Sequence, residues 1–340
     1  MNPLGLFVLA VVSLTDVPLS VLGRSELACP VCRHAFMTVV SAQANTRGGV
    51  DRDLFARALG PQPVYYQIST CPKCGYSGYL ADFDPAVILP PDVRNQVLKE
   101  PRLPLPAEFT PQSDPRELDA ANRYNLAITC YHWRQKSDEA LAWLHLRASW
   151  VARDKGAILP RDGRLARVMK YIERWRPRLR PNENQLDVEM KLTTRVAEAL
   201  ATGQFNRYQK PYVELALALI LRRHGENCRA QPMLDRLVAY ERFSDPLRQG
   251  IQRMRESVTK EREHQIAAAR HFESALWANQ VSGSNRASAR YVLGELCRRL
   301  GRDDEALQWF DKALSDPTLA VELRTWALQQ RVWCQSPGEG

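Results

Sequence analysis

Four cysteines in two short pairs, Cys29-Pro30-Val31-Cys32 and Cys71-Pro72-Lys73-Cys74-Gly75-Tyr76, are the residues of this chain best suited to chemistry. A Cys-x-x-Cys turn aims two sulfurs at one cation about 2.3 Å away, and two such turns close a tetrahedral shell with no position left for a substrate. The pattern predicts a structural zinc ion held by Cys29, Cys32, Cys71 and Cys74. Duplicated Cys-Pro-x-Cys pairs follow zinc spacing rather than a disulfide framework. A thiol redox protein using either pair stays open, and it requires an exposed, acidic thiol. Gly75 suits the left-handed exit of the second turn, whereas Arg33 stands at that place in the first, which is expected to turn differently. With four sulfurs present, His34 reads as an exposed neighbour rather than a ligand.

Other candidates are weaker. His264 and His271 are seven residues apart and lack the His-Glu-x-x-His spacing of a metalloprotease, so packing or exposure is expected for both and a second zinc on that helix is not. Asp51, Asp53, Asp82 and Asp84 cluster near the cysteines in sequence; turn-stabilising and Arg-pairing roles are commoner for short carboxylates than an acid/base pair or a cation site. Arg47-Gly48-Gly49-Val50 lacks the partner residues of a phosphate-cradling loop or a nucleophile elbow, and no catalytic residue is assigned. Residues 161–180 form an amphipathic helix ending before Pro177, with Arg164, Arg167, Lys170 and Arg174 along one side and Leu165, Val168, Ile172 and Trp175 along the other. That basic side is either a solvated outer face or an anion-binding surface for nucleic acid or lipid; the solvated face is the commoner case.

The cysteines need a frame. Residues 24–84 are too few for a large core, and short domains of this kind use a metal as a staple. Val64–Thr70 is β-branched and aromatic and leads into Cys71, which predicts a strand feeding the second knuckle of a zinc ribbon. Cys-Pro-x-Cys followed by Phe36, then Asp51-Arg52-Asp53, an aromatic strand, and Cys-Pro-x-Cys-Gly-Tyr with Asp82-Phe83 after it resembles the bacterial family called domain of unknown function 2225. The resemblance covers residues 27–84 and extends loosely into the remainder. It implies the same four cysteines as zinc ligands, helical repeats downstream, and no catalytic residue.

At 340 residues, 45% hydrophobic and 25% charged, the chain is globular with room for two domains. The net charge of +9 is carried more by Arg than by Lys, which suits phosphate or carboxylate recognition but also follows from genome composition. The apolar run Pro3–Leu14 is too short to span a bilayer and has the length of a signal-peptide core, so residues 1–23 are expected to be an export signal, with the protein in the periplasm or cell envelope. A cytoplasmic protein with a docked N-terminal segment is the alternative.

Seven prolines between Pro85 and Pro111 predict a semi-rigid linker over 85–114 with a short helix near Val93–Leu98. Beyond it, residues 115–335 read as helix pairs similar to tetratricopeptide repeats, with 336–340 a tail. Ala306, Phe310 and Ala313 repeat Ala268, Phe272 and Ala275, and Ala230, Leu234 and Leu237 before them, at a spacing of 38 residues. Tyr124–Ala127 with Ser137–Leu141 forms an earlier copy, and Cys130 and Cys297 fall at core positions of first helices. The expected fold is mainly α: a small β-containing zinc ribbon with four cysteine ligands, followed by an α-solenoid of tetratricopeptide-like helix pairs. The expected role is a non-catalytic protein-interaction module that binds a protein or peptide in its repeat groove.

Overall fold

A computed structural model describes residues 20–335 apart from 100–104, 107, 115–116, 157–158, 179–184 and 282. Two antiparallel hairpins open it. Strand β1 (Val21–Ala28) pairs with β2 (Ala35–Gln43), and β3 (Ile68–Thr70) with β4 (Ser77–Tyr79). The register Ala28↔Ala35 makes Cys29–Cys32 the turn of the first hairpin, and Thr70↔Ser77 does the same for Cys71–Cys74 in the second. The strand entering the second knuckle is shorter than the aromatic run suggests, because Pro63 opens a 3-10 turn over Pro63–Tyr66 and only the last three residues extend. Residues 1–19 of the expected export signal lie outside the described residues. Its residues 21–23 open the first hairpin, where Gly23 pairs with Val40, and Ser20 before them donates its N–H to Leu59 O at 3.1 Å.

Apolar side chains of the proline-rich stretch pack onto the ribbon. Helix α1 (Pro91–Leu98) buries Val93 and Val97, and Val97 and Phe109 join Phe36, Tyr76, Phe83 and the cysteines in one apolar cluster. Proline denies this segment ladder hydrogen bonds, but its apolar side chains still gain from burial, which anchors an irregular backbone.

Among the described residues ten further helices follow: α2 (Ala120–Trp133), α3 (Asp138–Gly156), α4 (Gly163–Glu173), α5 (Gln185–Ala201), α6 (Lys210–Arg223), α7 (Asn227–Val238), α8 (Asp245–Trp277), α9 (Ser284–Arg299), α10 (Asp303–Leu314) and α11 (Val321–Gln335). Local signals set their ends. Asp119 caps α2 by accepting from Ala121 N–H, Asp162 caps α4 by accepting from Arg164 and Leu165 N–H, and left-handed Gly225 and Gly301 follow α6 and α9. Asp303, Asp304 and Glu305 place negative charge on the first turn of α10, where the helix dipole favours it.

The residues that repeat at 38-residue spacing are all buried, on α7, α8 and α10. Neighbouring helices pair in order, α2 with α3, α6 with α7 and α9 with α10, but the most extensive helix packing joins α3 to α8, about a hundred residues apart in sequence. Helix α8 is the spine. Its buried positions Leu247, Ile251, Met254, Val258, Glu261, Gln265, Ala268, Phe272 and Ala275 alternate steps of four and three, a seam that keeps to one face from Leu247 to Ala275. The first part of the seam lies in a core shared by α4 to α7, and the last part in a core shared by α2, α3 and α9 to α11. The cluster around Phe55, Val64 and Ile68 of the ribbon is continuous with this second core, so ribbon and helices are fused. Cys130 and Cys297 are both fully buried, as expected of small core residues.

Close approach of α9 and α10 depends on Gly294. A Cβ there would lie 2.8 Å from the Phe310 ring, which has no exposure of its own. Gly294→Ala is expected to lower stability by about 1–3 kcal/mol through overpacking. Gly163→Ala, where a Cβ meets nothing within 4 Å, should leave the denaturation midpoint close to that of the parent.

Candidate metal centre

Each cysteine pair is held by the same two backbone bonds. Cys29 N–H donates to His34 O and Arg33 N–H to Cys29 O, both at 2.9 Å; Cys71 N–H donates to Tyr76 O and Gly75 N–H to Cys71 O, again at 2.9 Å. Arg33 does not force the different turn expected of it. Its φ of 61° matches the left-handed φ of 79° at Gly75, so the first knuckle keeps the geometry with a side chain that disfavours it. His34 stacks on Phe36 with ring centroids 6.5 Å apart and is not among the converging groups.

The four sulfurs lie within 4.8 Å of one another. Cys29 Sγ is 3.6 Å from Cys74 Sγ, and Cys32 Sγ is 3.6 Å from Cys71 Sγ. Four thiolates about 2.3 Å from a common ion stand about 3.8 Å apart, which the two 3.6 Å pairs match and the 4.8 Å limit on the whole set allows. The four cysteines can therefore bind a metal ion. As free thiols they would compete for protons: hydrogen bonding among the sulfurs pushes Cys29 and Cys74 up and pulls Cys32 and Cys71 down. A cation relieves that competition by stabilising all four as thiolates.

The shell is backed by protein rather than water. Cys29, Cys71 and Cys74 are buried and Cys32 is half-buried, so a redox reading would have to use Cys32. Tyr76 and Phe83 meet edge to face at 5.4 Å, and Phe83 meets Phe36 at 5.7 Å. Helix α2 closes the inner side: Cys130 Sγ accepts from Ser77 N–H at 3.4 Å, and Arg134 donates to Tyr76 Oη at 2.8 Å.

The acidic residues near the cysteines have separate structural tasks. Asp82 accepts from Tyr131 Oη and from Arg134, each at 2.6 Å, and from Tyr79 N–H at 2.9 Å, which pins β4 to α2. Asp84 accepts from Ala86 N–H in an exposed turn. Asp51 and Asp53 enter a buried ionic network. Arg57 grips Asp51 with two bonds of 3.0 and 2.8 Å, and Arg153 on α3 donates to Asp51 at 2.9 Å, to Asp53, and to Glu261 of α8 at 2.9 Å. Arg222 of α6 takes the other Glu261 oxygen, and Trp150 Nε1 donates to Asp53 at 3.1 Å. Burial alone would raise Asp53, but the Arg153 and Arg299 guanidiniums outweigh it and hold its carboxyl well below the usual range.

The basic stripe falls where the helical period put it. Arg164, Arg167, Lys170 and Arg174 are exposed, Leu165 and Ile172 are buried, and the helix stops at Glu173 with Arg174 as its cap. Among the described residues none of the four pairs with a carboxylate. Arg164 and Arg167 border a cleft of about 430 Å³ whose other walls include Tyr171, Phe205, Tyr208 and Tyr212. The last three come from the turn before α6 and from α6 itself, and stripe periodicity carried no signal for them.

His264 and His271 are not isolated either. They meet His132 and His145 from α2 and α3, with His145 Nδ1 3.2 Å from His264 Nδ1. A seven-residue spacing on one helix signals a shared face, but not the partners on helices more than a hundred residues away.

The family described as an uncharacterized protein conserved in bacteria, DUF2225, matches residues 22–260 and 251–331. No curated protein and no solved structure matches the chain.

Two outcomes check this geometry. Arg153→Leu should cost at least about 3 kcal/mol in chemical denaturation, because Asp51, Asp53 and Glu261 stay buried without their shared cation. The purified chain should carry one cysteine-bound ion, released by Cys71→Ala together with reactivity of the remaining three sulfurs in a thiol titration. Fast disulfide formation within a pair while the ion content stays constant would contradict a metal shell.

Proposed function

We propose, for a chain that belongs to the DUF2225 family of bacterial proteins, a binding role in which a zinc-stapled ribbon and its fused helices present a cleft to an anionic segment of a partner protein. Zinc is the ion that four cysteine thiolates in tetrahedral spacing favour. A closed shell of four thiolates leaves no coordination position for a substrate, so the metal serves folding. The observation that carries the reading is the cleft between α4 and α6: two exposed guanidiniums, without carboxylate partners among the described residues, beside an apolar and aromatic wall. Guanidinium recognises carboxylates through paired donors, and aromatic walls bury the apolar parts of a peptide. Among the described residues no helix is long and apolar enough to cross a membrane.

One observation favours a second reading. Tyr171 and Tyr208 are 47% and 53% exposed, which for large aromatic rings beside Arg164 and Arg167 suits base stacking with phosphate neutralisation by a single-stranded nucleic acid.

Fluorescence anisotropy separates them. A labelled Asp/Glu-rich peptide is expected to bind at low salt, and Arg164→Glu with Arg167→Glu should weaken it at least tenfold without loss of the cysteine-bound ion. Oligonucleotide binding with a steep salt dependence, in the absence of peptide binding, would replace the first reading by the second. Absence of both at low salt removes the cleft from the function.

A further inference from the structure

Four histidines from three helices gather where α2, α3 and α8 meet. One ring nitrogen each of His132, His145 and His271 lies within 4.8 Å of the others. His132 is on the last turn of α2 and exposed, His145 is midway along α3, and His264 and His271 sit two turns apart on one face of α8. Ring centroids of His145 and His271 are 5.6 Å apart, those of His132 and His271 5.9 Å, and those of His145 and His264 5.4 Å.

We propose that His132, His145 and His271 form a second metal site, for a divalent first-row transition ion, with Asp138 and His264 orienting two of the rings. The arrangement of hydrogen bonds supports it. His271 Nδ1 is 2.6 Å from Asp138 Oδ1 at the start of α3, and His145 Nδ1 is engaged with His264 Nδ1 at 3.2 Å. Those contacts occupy Nδ1 of both rings and leave Nε2 of each for a metal. A carboxylate behind a ligating imidazole sets its tautomer and raises its basicity, the usual outer support of a histidine metal site. An ion 2.0–2.1 Å from each nitrogen requires separations of about 3.3 Å, so the rings draw together from within 4.8 Å to close the shell.

Packing gives a weaker account of the same facts. Apolar contact alone rewards no convergence of ring nitrogens, and a cluster of imidazoles with one carboxylate is poor core material next to the alanine and phenylalanine seam of α8. Imidazole donors suit zinc, copper, nickel or cobalt rather than magnesium or calcium. Three protein nitrogens leave a fourth position, and exposed His132 places it at the solvent edge. This site differs from the cysteine shell in donor, exposure and openness, so neither depends on the other.

Cobalt(II) titration of the full chain with its cysteine-bound ion in place tests the assignment. One additional equivalent should bind, with visible d–d bands and no sulfur-to-cobalt charge-transfer band. His132→Ala changes an exposed residue and should fold as the parent; it and His271→Ala should each weaken that equivalent at least tenfold. Asp138→Asn should weaken it 10- to 100-fold with the ligands intact. The proposal is overturned if no further equivalent binds, if it binds equally well to His132→Ala and His271→Ala, or if all added cobalt reports sulfur ligation.

Discussion

A guanidinium with almost no access to water ties this molecule together. Arg153 is 1% exposed and reaches three carboxylates on two separate segments: Asp51 and Asp53 in the insert of the ribbon, and Glu261 at the middle of the α8 seam. Desolvating such a group is costly, and a hydrophobic trio could pack as well or better. What the ions add is a unique arrangement: an apolar seam can slide by one turn, whereas a forked cation with three acceptors cannot. Arg57 and Arg222 extend the network to Asp154 and Asn227, so ribbon, α3, α6 and α8 share one polar centre between two apolar cores.

The cysteine shell is nested in that frame. Each knuckle is the turn of a hairpin, and two short hairpins have too little area to hold together in water. An ion held by the four sulfurs would join them at one end, Asp82 and Arg134 join them to α2, and the insert between them is clamped by Arg153. The Asp51-Arg52-Asp53 run is thereby a docking device. Arg52, between the two aspartates, lies over the Trp326 ring at 4.6 Å, and its carbonyl accepts from Tyr291 Oη, which carries the same contact to α9 and α11. Arg33 in a left-handed conformation is a local cost of order 1 kcal/mol that this surrounding structure absorbs.

The surface shows how charge is divided. Buried Arg57, Arg153, Arg222 and Arg299 are matched by carboxylates, while the α4 stripe has no such partners among the described residues and stands beside aromatic walls. Structural cations and available cations are thus different sets, and the net charge by itself cannot tell them apart.

Much of the local structure is legible from residue order. The Cys-Pro-x-Cys pairs name their own partners because two pairs of that spacing have one economical arrangement; the helices, the buried positions at 38-residue spacing and the two faces of α4 follow from a period that every residue obeys within a few neighbours. The turn at Arg33 departs from expectation because side-chain preference is a weak force against four sulfurs and two backbone bonds. Packing of the proline-rich segment is also hidden from residue order, since its few apolar residues lie in no regular period. Tertiary structure alone decided that α3 lies along α8, that Asp51 and Asp53 find Arg153, that His132 and His145 meet His264 and His271, and that Phe205 faces the α4 stripe. Each of these joins residues distant in the chain, and side-chain chemistry states what a group can bond to without stating which distant group will arrive. That choice belongs to the packing of whole helices, where the summed burial of many side chains outweighs any one pair.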